Sequence, residues 1–379
     1  MYNEAMERRI LTGAEAVACA VELVKPEVIP VYPITPQTHI IEKLAGCVAS
    51  GRLSAEFIRV ESEMTAIGAV AGALVEGIRA FTATASQGLL FMHEVLHWIA
   101  GGRLPAVVAV CTRGVGAPWT LWCDMQDVLS QRDTGWMQVF ASSAQEALDF
   151  LILAYKVAER CSIPAMVALD GFLISHTAEP LEVVDDEVVS QFLPPFEFEL
   201  ALKGEDPFTL WPIPGAEKYY RIRKELFEDH RKALDVWMEE FDRWYSLTGR
   251  RYSPVEAVLP ENAKEAFVCV GALSGTVSHM IKNALLDEGV GLIDIKLFRP
   301  FPEELLRNAA SSLDTVYVID KAVSYGRSGI LGEEVEAALR DVCQVKNMVG
   351  SLGGLDLGPE RIVELYRRAR DSREKVIWI

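Results

Sequence analysis

No two of the seven cysteines in this 379-residue chain are spaced as C-x-x-C. Cys19, Cys47, Cys111, Cys123, Cys161, Cys269 and Cys343 are scattered and odd in number. Such a set excludes a disulfide frame and a zinc ribbon, and offers no clustered thiolates for an iron–sulfur centre. Reduced thiols in a cytoplasmic protein are expected. Basic charge is also short, with 37 Lys and Arg against 54 Asp and Glu and a net charge of −17. Nucleic-acid binders gather Lys and Arg on one face, so that class is set aside. No apolar run reaches the roughly 18 residues of a membrane-spanning helix. The opening "MYNEAMERRILTG" holds no apolar signal core. The G-x-x-x-x-G-K-S/T phosphate loop is missing too.

What the chain has in plenty is apolar surface. Half of its residues are hydrophobic and its mean hydropathy is +0.16, which predicts a large face turned towards another subunit. The length calls for two domains. Segments with helical and strand patterning alternate from residue 13 to 170, the mark of a parallel α/β layer fold. A stretch dense in Pro and aromatics follows from 191, then one long helix near 217–246. Alternation returns after "GRRYSPVEAVLPENAKE", which reads as a linker. The expected division is residues 1–190, an arm and linker over 191–250, and a second α/β domain over 251–379.

Several motifs fall where strands of such a sheet end, the place where open α/β sheets bind ligands. "VYPITPQT" puts Pro33 and Thr35 after a strand; it is either a rigid turn or a ligand contact. "VESEMTAIGAVAGAL" puts Glu61 and Glu63 before a helix that is apolar all round and therefore expected to be buried. Ser62 can cap that helix. The glutamates either dress its N-terminus or do chemistry with a carboxylate tuned by burial. "TATASQGLLFMHE" puts Ser86 and Gln87 at a strand-to-helix junction. Arg113 directly follows an apolar strand, as half of an ion pair or as a fork for a ligand carboxylate. The segment after it, rich in Trp, Gln and Asp, is too long for a simple connector. His93 and His97 fall one helical turn apart without completing H-E-x-x-H, so packing is the first reading and no metal site is assigned.

In order along the chain, "VYPITPQT", "VESEMTAIGAVAGAL", "TATASQGLLFMHE", "TRG", "MQDVLSQRDTGWMQ" and "LDGFLISH" resemble one family closely. It is the 2-oxoacid:ferredoxin oxidoreductases, and among them the α subunit of the archaeal-type, multi-subunit pyruvate:ferredoxin oxidoreductase. "FRPFP" and "GSLGG" are similar to the family's second domain, so the resemblance runs from about 13 to 370. It implies a pyrimidine-binding domain of thiamine enzymes followed by a transketolase C-terminal-like domain. It implies an oxygen-sensitive conversion of pyruvate and coenzyme A to acetyl-CoA and carbon dioxide, with ferredoxin reduced. Glu63 is the implied contact to N1′ of the thiamine diphosphate aminopyrimidine, and Glu61 a supporting charge. Pro33, Ser86 and Gln87 are implied cofactor contacts, and Thr35 and Arg113 hold the substrate carboxylate. Gln126, Asp127 and Arg132 are placed near that pocket. The family's G-D-G…N motif for magnesium and diphosphate is absent, as are its cluster cysteines. The resemblance puts these on β, γ and δ subunits, the β subunit carrying diphosphate, magnesium and one 4Fe–4S cluster. The bulky loop 114–125 holds no Lys, Arg or His, which disfavours 2-oxoglutarate and oxalate. Branched-chain and aryl 2-oxoacids stay open as substrates, with Trp119 and Trp122 as candidate walls. A ferredoxin-independent thiamine enzyme and a catalytically degenerate scaffold subunit are the readings outside the family.

Overall fold

The computed structural model describes residues 6–199, 201–202, 209–285 and 288–378. The chain opens with β1 (Met6–Thr12) and α1 (Gly13–Val24), whose N-terminus is closed by a Thr12–Glu15 capping box. Then come β2 (Val28–Val31), α2 (Thr38–Ala49), β3 (Glu56–Arg59), α3 (Glu63–Val75) and β4 (Phe81–Thr84). They are followed by α4 (Ser86–Phe91), α5 (His93–Gly101), β5 (Val107–Thr112), α6 (Gln126–Leu129) and β6 (Met137–Ala141). The long α7 (Ala144–Cys161) leads to β7 (Ala165–Asp170), β8 (Ala178–Val184), α8 (Asp186–Phe192) and α9 (Ala216–Thr248).

The first sheet has parallel strands in the order β6–β7–β5–β4, and a parallel bridge from Val28 to Ala80 sets the β2–β3 pair alongside β4. Strands β5, β6 and β7 are buried along their whole length. That matches their Val- and Ala-rich runs, because a parallel sheet is covered on both faces. The buried α7 packs against α1 and α9 on one side. Trp237, Phe241 and Trp244 of α9 fill that layer.

The second sheet is built from β9 (Val255–Val258), β10 (Glu265–Cys269), β11 (Val290–Ile295), β13 (Thr315–Asp320), β14 (Gln344–Val349) and β15 (Val376–Trp378). Its order is β15–β14–β13–β10–β11–β9, and only β9 runs antiparallel. Helices α10 (Leu273–Ala284), α11 (Glu303–Ala310), α12 (Ile330–Leu339) and α13 (Pro359–Asp371) accompany it. One short strand, β12 (Leu297–Arg299), leaves this half and pairs antiparallel with β6 in the first sheet. Buried ion pairs cross between the halves as well. Lys296 holds Glu146 at 2.7 Å, and Lys321 pairs with Asp170 where β7 ends.

Three expectations need correction. Helix α3 is not buried all round. Glu63, Ala66, Ile67, Val70, Ala71 and Leu74 face the core, while Met64, Gly68 and Gly72 lie exposed. Ala66 to Val75 carry no polar side chain on either face, so no polar stripe marks the exposed side; there the small Gly68 and Gly72 stand opposite the larger buried Ile67, Val70 and Leu74. The segment "GLLFMHEVLHWIAGG", whose pattern reads as one helix over 88–102, is two helices jointed at Met92. Part of the expected linker is strand β9, and the charged "MERRILT" is strand β1, paired antiparallel with β8. The aromatic arm packs on its own chain where described. Leu202 N–H donates to Val75 O at 2.8 Å, and Trp211 Nε1–H to Trp98 O at 2.8 Å.

Candidate active site

The carboxyl ends of β2, β4 and β5 converge, and the loops leaving them bring the candidate residues together. Glu63 is the first residue of α3; Ser62 Oγ caps the helix by accepting Thr65 N–H at 3.2 Å. Glu63 is buried, at 8% exposure. The exposed Glu61 takes the Thr65 hydroxyl at 2.8 Å; no such bond engages the Glu63 carboxylate among the described residues. That hydroxyl holds the Glu61 carboxyl below its usual range. The Glu63 carboxylate lies against Gly88, where an added Cβ would sit 2.7 Å from Oε1 and 2.6 Å from Thr84 Oγ1. Thr84 Oγ1 is itself buried without a partner. The result is a tight junction of a carboxylate, an orphaned hydroxyl and a glycine with no room for a side chain.

Arg113, just beyond β5, is buried. Its Nη1 donates to Thr35 O at 2.9 Å, its Nε to Thr120 O at 3.0 Å, and its Nη2 to Gln87 Oε1 at 3.5 Å. The Trp119 ring centroid lies 5.5 Å from Cζ. No carboxylate pairs with this guanidinium among the described residues, so the ion-pair reading does not describe it. Burial pushes its pKa down, opposed by the nearby Asp127 charge. A desolvated cation held only by neutral oxygens has its charge left to offer to an anion. Thr35 and Pro33 are exposed in the turn after β2. Ser86 is buried in left-handed backbone, with φ +49°, and its hydroxyl donates to Gly114 O at 2.7 Å. The β4 and β5 loops are thereby tied together.

Asp127 is the residue whose part was least legible in the sequence. It is wholly buried beneath these loops. Its Oδ2 accepts Ser86 N–H at 2.8 Å and Arg113 N–H at 3.0 Å, and its Oδ1 accepts Val128 N–H at 2.7 Å. Burial raises its pKa to about 7 against the pull of those hydrogen bonds. Gln37 was also missed: its buried amide donates to Ala83 O at 2.5 Å and fastens the β2 turn to β4. Gln126 turns away to the second sheet, accepting Val323 N–H at 2.8 Å. Arg132 lies elsewhere, lining a separate groove of about 880 Å³ with α9 and Arg299. His93 Nδ1 bonds Gln131 Oε1 at 2.5 Å, and the His97 ring packs edge-on at 5.0 Å. Sequence spacing could flag Gly88, in "SQG" at a strand end, but not the side chain it makes room for.

Residues 19–242 match the family described as "Pyruvate flavodoxin/ferredoxin oxidoreductase, thiamine diP-bdg", and residues 263–362 match "Pyruvate:ferredoxin oxidoreductase core domain II". The chain belongs to the pyruvate:ferredoxin oxidoreductase family. It is 41% identical over 381 residues to the pyruvate synthase subunit PorA of Methanothermobacter thermautotrophicus, covering 99% of this chain and 98% of that one. It is 39% identical over 377 residues to the ketoisovalerate oxidoreductase subunit VorA of Pyrococcus furiosus, covering 98% and 94%. Among solved structures it is similar to the 2-oxoglutarate:ferredoxin oxidoreductase from Magnetococcus marinus, solved with 2-oxoglutarate, coenzyme A and succinyl-CoA bound. That likeness has a TM-score of 0.74 at 18% identity and covers 96% of this chain but 65% of that one. A split-gene transketolase, an inactive β4 tetramer, aligns with a TM-score of 0.55 at 13% identity over 95% and 98% of the two chains. Both likenesses speak for the fold alone, two α/β units.

The buried Glu63 carboxylate suits an aminopyrimidine. A buried carboxylate with no hydrogen-bond partner is what a ring nitrogen able to take up a proton requires. The glycine leaves room for that carboxylate to lie against α4. No helix among the described residues is long and apolar enough to cross a membrane.

Proposed function

We propose that this chain is the α subunit of a cytoplasmic, thiamine-diphosphate-dependent 2-oxoacid:ferredoxin oxidoreductase that turns pyruvate and coenzyme A into acetyl-CoA and carbon dioxide. The observation that carries the reading is a pair of buried charges, Glu63 and Arg113, neither with an ion-pair partner among the described residues, Arg113 standing on a loop that buried Asp127 ties to the Ser86 loop. Thiamine diphosphate, when bound, supplies the carbon nucleophile and the electron sink that loss of carbon dioxide from a 2-oxoacid needs. Glu63 holds a proton at N1′ of the pyrimidine, and its burial keeps water from competing there. Pro33, Ser86 and Gln87 border the pyrimidine. Arg113 holds the substrate carboxylate, with Thr35 beside it, and Thr120 O and Thr35 O keep the guanidinium aimed. The walls around Arg113 come from loop 114–125, whose lack of Lys, Arg and His favours a 2-oxoacid with one carboxylate.

Magnesium, the diphosphate and the 4Fe–4S clusters belong to β, γ and δ partners in this reading, and ferredoxin takes the electrons. The exposed small-residue face of α3 supports a partner chain packed close by. A branched-chain 2-oxoacid is the second reading, favoured by the near-equal identity to the VorA relative. The test is anaerobic purification through a tag on this chain, followed by viologen reduction with coenzyme A and a panel of 2-oxoacids. Expected are co-purifying subunits carrying the thiamine and cluster motifs, and highest kcat/KM with pyruvate. Highest kcat/KM with 3-methyl-2-oxobutanoate would establish the second reading. A lone chain without thiamine or iron would overturn both.

A further inference from the structure

The loop beside Arg113 is gripped from outside by a turn far along the chain. That turn, after β14, has left-handed backbone at Ser351, Gly353 and Gly354, with φ of +56°, +57° and +79°. Glycine adopts this conformation without steric cost. Gly353 N–H donates to Asp124 Oδ2 at 3.1 Å, and Gly353 O accepts the Thr120 hydroxyl at 3.4 Å. Gly354 is closer still: a Cβ there would lie 2.3 Å from Trp122 Cβ and 2.9 Å from Trp122 Cγ. Asp124 is buried, at 7% exposure, so its bond to the turn is shielded from water.

On its inner side the same loop meets the site. Thr120 O takes Arg113 Nε, Trp119 lies over the guanidinium, and Gly114 N–H donates to Trp122 O at 3.0 Å. A Cβ on Gly114 would fall 2.4 Å from Thr120 Cγ2 and 3.0 Å from Asp124 Oδ2, so the loop closes on itself without slack. Arg113 has further anchors that do not pass through the loop: Thr35 O for its side chain and Asp127 for its backbone. A shift of the turn therefore moves the wall and one guanidinium contact, while Thr35 O and Asp127 still hold Arg113.

We infer that the Gly353–Gly354 turn sets how large a 2-oxoacid side chain fits beside Arg113, by fixing Thr120 and Trp122 from outside the pocket; this rests on the function proposed above. Gly353 and Gly354 are positioning residues. They contact the loop, and the loop shapes the space next to the keto carbon.

The test uses the assembled complex and kcat/KM for pyruvate and for 3-methyl-2-oxobutanoate. Gly354→Ala is expected to change the ratio of the two about tenfold, the scale of discrimination that a methylene's worth of pocket space supplies. The change is carried by KM and accompanied by faster amide hydrogen exchange over residues 114–125. In a Trp122→Ala background, Gly354→Ala is expected to alter the ratio by less than about twofold, because the residue through which it acts is gone. Where Gly354→Ala fails to assemble, Asp124→Ala, which cuts the bond to Gly353, carries the same expectation. A ratio unchanged in the variants that assemble overturns the inference, whatever the exchange data show. Inactivity of the unsubstituted complex on every 2-oxoacid is a separate result, which overturns the proposed function and this inference with it.

Discussion

The carboxylate of Glu63 fills the space in which a side chain at Gly88 would begin. An alanine there would put its Cβ 2.7 Å from Glu63 Oε1 and 2.6 Å from Thr84 Oγ1. Both neighbours sit in a packed junction, so the ordinary helix gain of about 1 kcal/mol for Gly to Ala is outweighed by overpacking of about 1–3 kcal/mol. Gly88→Ala is expected to lower the melting temperature of the chain and weaken thiamine diphosphate binding. Gly68→Ala, with open space around its position, is expected to leave the isolated chain equal or more stable. Thermal denaturation of the two variants side by side checks the contrast.

Glu63→Gln keeps the shape and removes the acid–base function. Turnover is expected to fall roughly 10²–10⁴-fold, the usual worth of a positioned proton-transfer group. Subunit assembly and circular dichroism should be unchanged. Retention of full turnover in that variant would remove Glu63 from the chemistry.

The Arg113 guanidinium is held by carbonyl oxygens and pairs with no carboxylate of its own chain among the described residues. Arg113→Ala is expected to cost about 2–5 kcal/mol in kcat/KM, the range for truncating one side of a buried charge contact. Most of the loss should appear in KM. Arg113→Lys restores the charge without the fork and should recover only part of it. Steady-state kinetics with pyruvate across the three proteins measures this, and an unaltered KM would assign the substrate carboxylate elsewhere.

Asp127 gives a pH signature. Burial lifts its pKa from an ordinary 3.8 to about 7. The folded chain therefore binds more protons than the unfolded one between those values, and this group's contribution to stability falls as pH rises across that window. Asp127→Asn, neutral throughout, lacks the slope. The melting temperature of Asp127→Asn relative to the unsubstituted chain should rise between pH 5 and pH 8, by at least ~2 °C. A difference that stays flat or falls would place the titration elsewhere.

Much of this architecture was legible because its signals are local. Apolar strands ending in "TAS", "CTR" and "ALD" announced a covered parallel sheet, and the rule that ligands gather at strand ends singled out Ser86 and Arg113. The parts that escaped depend on neighbours distant in sequence. Strand β1 carries charged residues outward and exists because β8 pairs with it. The role of Asp127 appears only when α6 is tucked beneath the β4 and β5 loops. Helix α3 has no polar stripe from Ala66 to Val75 to mark an exposed face, so which face is buried shows only once its neighbours are packed.

Strand β12 has a further consequence. It belongs to the later part of the chain but closes the edge of the first sheet, with Leu297 opposite Val139 and Phe140 N–H donating to Lys296 O at 2.7 Å. A fragment truncated before Val255 would end its first sheet at β6, a strand buried along its whole length, with open backbone groups. Bare edges of this kind recruit other strands. Dissecting the protein into its two halves would thus yield a sticky, self-associating piece, because this one short strand is the selvedge that keeps the first sheet from fraying into aggregates.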